Sequence, residues 1–277
     1  MISNHIPTRD IRTYSDVAQK LRQFFLGRGF VEVHTQDRLS ILAACEDPTT
    51  VATYQYEGNV WPLPQTGQMW LEYELLTKPE LPGVFCMSTS FRNERNPIPG
   101  RHERIFPMFE FESRGTFEDL RKLEEALCEA LGLGRKKSFK HFSYRELALK
   151  YKTRELTSMH ETKMEEDYGR VVFIERFPEF SSPFWNMRRI GTSANKIDVI
   201  IDGMETIGSA ERSSNVGEMR ERFHSISGGG YAALLYKKFG KRRVIRELEE
   251  FLSLTFFPRC GGGIGMTRLM KACTLGE

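Results

Sequence analysis

With 277 residues the chain has room for one large domain or two small ones, and 40% hydrophobic and 28% charged residues mark an ordinary globular protein, not a disordered or low-complexity one. Forty Lys and Arg against 37 Asp and Glu leave a formal charge of +3, too small to demand a polyanionic partner. Cys45, Cys86, Cys128, Cys260 and Cys273 fall into no CxxC or metal-knuckle spacing and read as reduced thiols of a cytoplasmic protein. No signal-like apolar core and no run of about 18 apolar residues occurs, so no membrane role is expected.

Residues 15–28 carry Val17, Leu21, Phe24 and Phe25 at helical spacing, with Ser15 as N-cap and Gly27 and Gly29 near the stop. Residues 30–34 alternate apolar and polar side chains as a half-buried strand should. Residues 54–76 predict a short strand, a Pro-rich turn at WPLPQTG and a helix opening near Gln68. Two antiparallel strands follow at 84–92 and 105–112, joined by the polar loop NERNPIPGRHER. Residues 117–131 form an amphipathic helix that buries Leu120, Leu123, Leu127 and Leu131 and turns its acidic residues outward. Strands are expected at 170–176 and 197–201 and helices at 215–224 and 231–253, with a glycine cluster leading into a last helix. Strands and helices do not strictly alternate, which favours α+β over a doubly wound parallel sheet.

Chemistry gathers in three segments. FRNERNPIPGRHERIFPMFEFE, residues 91–112, sets Arg92, Glu94, Arg101 and His102 around a loop, and arginine offers phosphate a fixed fork of donors. Standing alone it would be a charged, solvated hairpin. CGGGIGMTRL, residues 260–269, puts four glycines before a helix that carries Arg268. Glycine allows close backbone approach, and a helix N-terminus favours anions. IDVIIDGMETIGSAER, residues 197–212, mixes apolar residues with carboxylates, and a turn at Asp202 and Gly203 would bring Asp198 and Glu205 to one end, as hard oxygen ligands for magnesium on a nucleotide.

Together these segments resemble the class II aminoacyl-tRNA synthetases of the aspartyl, asparaginyl and lysyl branch. Residues 91–112 are similar to motif 2 in their FRNE opening, RH pair and aromatic-acidic ending, and GGGIGMTRL is similar to motif 3; the likeness covers roughly residues 15–270. It implies an α+β class II fold, an antiparallel sheet flanked by helices, in a single catalytic domain over residues 1–277. The implied activity is that of an AMP-forming ligase using ATP and Mg2+. Arg92 would bind the α-phosphate and Arg268 the γ-phosphate, both as catalytic residues. Glu94 would contact the adenine edge, Phe106 would stack on adenine, and Arg101 with His102 would guide the bent triphosphate. Glu205, supported by Asp198, would hold magnesium.

Within the branch, LPQTGQMWLE (63–72) and METIGSAER resemble the asparaginyl and aspartyl enzymes, implying asparagine, aspartate or a close analogue as substrate. Gln68 would meet its backbone groups, Arg212 its side-chain oxygen and Glu46 its α-amino group. Aspartyl-type sites usually carry a lysine where this chain has Leu71, followed by Glu72, an asparaginyl-like departure. A homodimer is implied, although Gln36 replaces the proline of motif 1. The branch's anticodon-reading barrel has no room before the first helix, so ammonia or another non-tRNA amine is the expected acceptor and tRNA the less favoured one. The alternatives are a minimal asparaginyl- or aspartyl-tRNA ligase and an inactive paralogue that senses amino acid. Arg92, Glu94, Glu205 and Arg268, all present together, weigh against an inactive site. Basic runs at 135–140 and 237–243 fit solvated helix faces better than acceptor-stem contacts.

Overall fold

The computed structural model describes residues 10–35, 39–42, 49–98, 103–181 and 184–274. Gln36, Cys45, Glu46, Arg101 and His102 lie outside the described residues. In chain order the elements are α1 (Ile11–Leu26), β1 (Val31–Glu32), β2 (Thr53–Tyr56), β3 (Asn59–Pro62), α2 (Gln68–Thr77), β4 (Gly83–Phe91), β5 (Ile105–Arg114), α3 (Phe117–Ala130), β6 (Lys140–Ser143), α4 (Tyr144–Lys150), α5 (Ser158–Tyr168), β7 (Val171–Pro178), β8 (Arg189–Ile190), β9 (Ser193–Ile201), β10 (Met204–Glu211), α6 (Val216–Ser225), α7 (Gly230–Phe239), α8 (Lys241–Leu252), β11 (Arg259–Gly265) and α9 (Met266–Thr274).

The main sheet among the described residues runs β1-β4-β5-β11-β10-β9-β7-β6, with β8 paired to β9. Only β1 with β4 and β6 with β7 pair in parallel; the ladders through β4, β5, β11, β10 and β9 are antiparallel. This is the helix-flanked, mostly antiparallel sheet of the α+β expectation. One face packs on α1, α3 and α9 around Phe25, Phe85, Phe109 and Phe111, with Phe85 stacked on Phe109 at 5.2 Å between ring centroids. The other face is covered in part by α2, α6, α7 and α8, which share a core around Trp185, Phe223 and Phe251. That face is left open over β5, β10 and β11, where the cavity described below forms.

Several boundaries move for identifiable reasons. α1 begins at Ile11 because Asp10, not Ser15, caps it, its Oδ1 accepting from the backbone N–H of Arg12 at 3.0 Å and of Thr13 at 3.3 Å. The helix expected over 231–253 is two helices, broken at Gly240, whose φ of 88° no continuing helix adopts. The strand expected near residue 54 is a hairpin, turned at Glu57 and Gly58 with φ of 50° and 73°. The glycine cluster that leads into the last helix is itself a central strand: β11 pairs with both β5 and β10. β6, α4 and α5 were not anticipated. Among the described residues Cys86, Cys128, Cys260 and Cys273 form no disulfide, and no helix is long and apolar enough to cross a membrane.

Candidate active site

Period-two alternation along β5 sends Phe109 and Phe111 into the aromatic core and Phe106, Met108, Glu110 and Glu112 to the opposite face. On that face a cavity of about 430 Å³ is walled by Phe106 and Met108, by Glu205, Thr206 and Gly208 of β10, and by Gly263 and Gly265 of β11. Arg92 and Glu94, just past β4, close one side together with Gln65 and Glu103, and Thr267, Arg268 and Lys271 of α9 close another. Three segments far apart in sequence thus meet, and Arg92, Glu94, Phe106, Glu205 and Arg268 share one cavity as the sequence implied.

The two arginines are held differently. The Arg92 backbone N–H donates to the Arg104 carbonyl at 2.7 Å, and its guanidinium lies 5.3 Å from the centre of the Phe106 ring. Its Nε is buried and has no hydrogen-bond partner among the described residues. A buried donor left unmade costs ~1–3 kcal/mol, which an anion in the cavity would recover. Arg268 stands in the first turn of α9, where backbone N–H groups are unmatched and favour anions, and its Nη1 donates to the Glu205 carbonyl oxygen.

Close packing requires glycine at 261 and 262 of β11, where a Cβ would meet the Phe111 carbonyl oxygen at 2.3 Å and Ser209 Cβ at 2.5 Å. A Cβ at Gly261 would stand 2.0 Å from Glu112 Oε2, and one at Gly263 would stand 2.7 Å from Met108 Cε. A side chain at Gly261 would push β5 away, whereas one at Gly263 would displace the flexible end of Met108 in the cavity wall. At the other rim, Glu110 is wholly buried and accepts from the Gly67 N–H at 2.8 Å and from the hydroxyls of Thr66 and Ser88. Burial raises the Glu110 carboxyl above its ordinary pKa, and those donors pull it back. The clamp fixes the turn that delivers Gln65, whose Nε2 donates to Thr50 Oγ1 at 3.0 Å.

Asp198 and Glu205 come together across Gly208. From the point where a Gly208 Cβ would stand, Glu205 Oε1 is 3.1 Å away and Asp198 Oδ1 3.5 Å. Asp198 does not line the cavity. Its Oδ2 accepts from Lys196 Nζ at 2.7 Å, while Oδ1 is buried without a partner among the described residues. Burial raises its pKa to about 7 against the pull of Lys196, with the Glu205 charge adding to the rise. No cage of three or more His, Cys, Asp or Glu forms among the described residues. Two carboxylates with an unsatisfied oxygen nonetheless fit Mg2+, which binds through one or two carboxylates plus phosphate and water oxygens.

The expected substrate residues lie elsewhere. Gln68, Glu72 and Arg212 are 2%, 0% and 3% exposed and form a closed layer beside the cavity, not its wall. Arg212 donates to Glu112 at 3.1 Å and 3.2 Å, to Gln68 Oε1 at 2.6 Å and to the Gly261 carbonyl at 3.2 Å. Gln68 Nε2 donates to the Gly262 carbonyl at 2.8 Å. Glu72 accepts from Arg259 at 2.6 Å and 3.0 Å and from Asn186 Nδ2 at 2.7 Å. Burial raises the Glu112 pKa to about 7, opposed chiefly by Arg212. Leu71 is turned away by the pitch of α2, into an apolar cluster with Leu75, Val84 and Cys86. Leu71 thus stands in the core and not on the cavity wall.

Several site residues went unnoticed in the sequence. Lys271 was signalled only by its i, i+3 spacing from Arg268. Glu110 and Glu112 were signalled by alternation with Phe109 and Phe111, which marks acids pointing away from a core. Gln65, Glu103, Asn186 and Arg259 carried no local signal, because long-range packing alone brings them in.

The family model described as tRNA synthetases class II (D, K and N) matches residues 2–276. The chain belongs to this family. This class II chain is 26% identical over 298 residues to the asparagine–tRNA ligase of Pelotomaculum thermopropionicum, covering 94% of the chain and 64% of that protein. It is 27% identical over 205 residues to the asparagine–tRNA ligase of Desulforamulus reducens, covering 63% and 46%. Among solved structures, asparaginyl-tRNA synthetase of Pyrococcus horikoshii complexed with asparaginyl-adenylate has the same fold, with a TM-score of 0.76 at 19% identity over 96% of this chain and 65% of that one. The Entamoeba histolytica asparaginyl-tRNA synthetase, also with asparaginyl-adenylate, gives 0.75 at 18% identity over 96% and 64%. The class II chain thus spans less than two thirds of the length of these relatives.

Proposed function

We propose that the chain joins an amino-acid carboxylate to the α-phosphate of ATP, forming an aminoacyl adenylate and releasing pyrophosphate. The observation that carries this reading is the meeting of Arg92 and Arg268, from opposite ends of the chain, in one cavity with Phe106 and Glu205. A carboxylate oxygen attacks the α-phosphorus, the bond from that phosphorus to the oxygen bridging to the β-phosphate breaks, and the electron pair leaves with pyrophosphate. Negative charge builds on the α-phosphoryl oxygens and on the leaving group, and fixed cations stabilise it at little reorganisation cost. Arg92 serves the α-phosphate and Arg268 the pyrophosphate end, while Glu94 meets the adenine edge and Phe106 stacks on the ring. Arg101 and His102 steer the triphosphate. Glu205 with Asp198 would hold Mg2+, which supplies charge neutralisation of the phosphates when bound.

The amino acid is asparagine, aspartate or a close analogue, in keeping with the asparagine–tRNA ligases the chain is similar to. Asparagine is the better match. Arg212 and Arg259 are already countered by Glu112 and Glu72, so the layer beside the cavity offers a second carboxylate no uncompensated cation. Gln68 and Glu72 act by holding that layer, and Glu46 serves the α-amino group. The relatives suit a tRNA acceptor as well as ammonia or a small amine. Exposed Ile11, Leu26 and Val31 on α1 and β1, at the end of the sheet among the described residues, support a homodimer.

Amino-acid-dependent ATP–pyrophosphate exchange tests the proposal, with asparagine, aspartate and diamino acids as the panel. Exchange with asparagine above aspartate is expected, and AMP release with tRNA, ammonia or amines then names the acceptor. Folded protein that binds ATP and exchanges with none of the panel would overturn the proposal.

A further inference from the structure

Lys271 has no part in the roles assigned above. It stands three residues after Arg268 on α9, and both side chains line the cavity. Leu269, Met270 and Ala272 between and beside them are buried in the core. The helix therefore gives one face to the core and the other to the cavity, and residues i and i+3 are neighbours on such a face. Lys271 is itself exposed, so its charge carries no burial penalty and its removal leaves no hole in the core.

The charge balance of the cavity gives Lys271 a task. Arg92, Arg268 and Lys271 face Glu94, Glu103 and Glu205. Among the described residues, removing Lys271 would leave two cations and three carboxylates on the cavity lining before any polyphosphate brought its own negative charge. Arg268 also gives one N–H of its Nη1 to the Glu205 carbonyl oxygen, and that hydrogen is not available to a phosphate oxygen. We propose that Lys271 is a second polyphosphate-binding cation, holding the pyrophosphate end of ATP beside Arg268; this rests on the ATP-dependent activity proposed above. An ammonium on a flexible stem is a mobile point charge with three donors, suited to an oxygen that shifts as pyrophosphate departs, whereas a guanidinium fork is fixed. Lys271 grips the triphosphate before reaction and pyrophosphate after it about equally, so it governs affinity and not the rate of the chemical step.

The test is calorimetric titration of the full chain with ATP, AMP and inorganic pyrophosphate, for wild type, Lys271→Met and Lys271→Arg. The Met variant is expected to weaken ATP and pyrophosphate about tenfold, the size of one charge-assisted hydrogen bond, and to leave AMP unchanged. The Arg variant keeps most of the affinity. In exchange assays the KM for pyrophosphate rises by a similar factor while kcat stays within about twofold. Unchanged ATP affinity in the Met variant, or equal weakening of ATP and AMP, overturns the assignment. A wild-type chain that binds ATP but exchanges with no amino acid overturns the activation proposal, and the ATP-to-AMP ratio still decides Lys271. A chain that binds neither ATP nor pyrophosphate overturns both.

Discussion

Arg92 and Arg268 face a cavity, while Arg212 and Arg259, further along the same face of the sheet, face carboxylates of the protein itself. Moving along β5, the wall changes from Phe106 and Met108 to Glu110 and Glu112; along β11 it changes from Gly265 and Gly263 to Gly261 and Arg259. At the cavity end Arg92 keeps a buried Nε unpaired among the described residues. At the closed end Arg259 donates to Glu72 and to the Ser213 carbonyl at 3.0 Å, and is 0% exposed. The same two residue types build a place for a ligand where donors are left over and a structural staple where each is matched. What separates them is the count of partners, not the charge.

The largest effects should fall at the staple. Arg259→Met leaves buried Glu72 with Asn186 donating to it and Arg212, already shared with Glu112, 3.7 Å away, and breaking a buried pair from one side costs ~3–5 kcal/mol. For a chain of this size that is a fall of roughly 6–20 °C in Tm, read by calorimetry. Adding Glu72→Leu should restore much of the loss, since an apolar replacement of both partners is often neutral. A single variant as stable as wild type would mean the pair is not a staple.

Arg268→Ala should do the reverse. Exchange activity should fall by roughly 10²–10³-fold, the usual cost of one transition-state charge contact, with Tm within about 2 °C. Equal loss of stability at Arg268 and Arg259 would erase the distinction between the two ends of the sheet face.

How much of this was legible depended on the range of the contacts. The antiparallel pair around residues 91–112 and the Asp202–Gly203 turn follow from local alternation and turn chemistry, and both form, the turn with φ of 48° and 69°. The grouping of Arg92, Glu94, Phe106, Glu205 and Arg268 was legible through the resemblance of three segments to the class II family, in which arginines and glycines of two segments suit an anion and carboxylates of the third suit a cation. Gln68, Glu72 and Arg212 were legible as a group but not in their state. Nothing local says that Glu112, Arg259 and Asn186 would satisfy them, since those partners come from other strands and loops. Glycines 261–263 show the same limit. A glycine run reads as a loop until the carboxylate of Glu112 is known to lie where a Cβ would be.

The effect that starts from nothing at low pH concerns a third kind of carboxylate, neither open nor paired. Glu124, on α3 behind the sheet, is 0% exposed, and its carboxyl has no well-formed hydrogen bond among the described residues. The nearby Ser209 hydroxyl donates instead to the Ile197 carbonyl at 3.3 Å. Burial raises the Glu124 pKa from 4.5 to about 8, offset only in part by Ser209 and increased by the Asp198 and Glu175 charges. A raised acid pKa means the folded state holds a proton that the unfolded state releases, so stability falls as pH rises between the two values, by about 1.4 kcal/mol per pH unit. Glu124→Gln removes that slope while leaving those of Asp198 and Glu112, which have the same sign, in both proteins. Urea unfolding at several pH values between about 5 and 8 should therefore show the two curves diverge steadily, with the variant increasingly the more stable. Parallel curves would mean that Glu124 is ionised and paired in the folded state, and belongs with Glu72 and Glu112 among the matched charges.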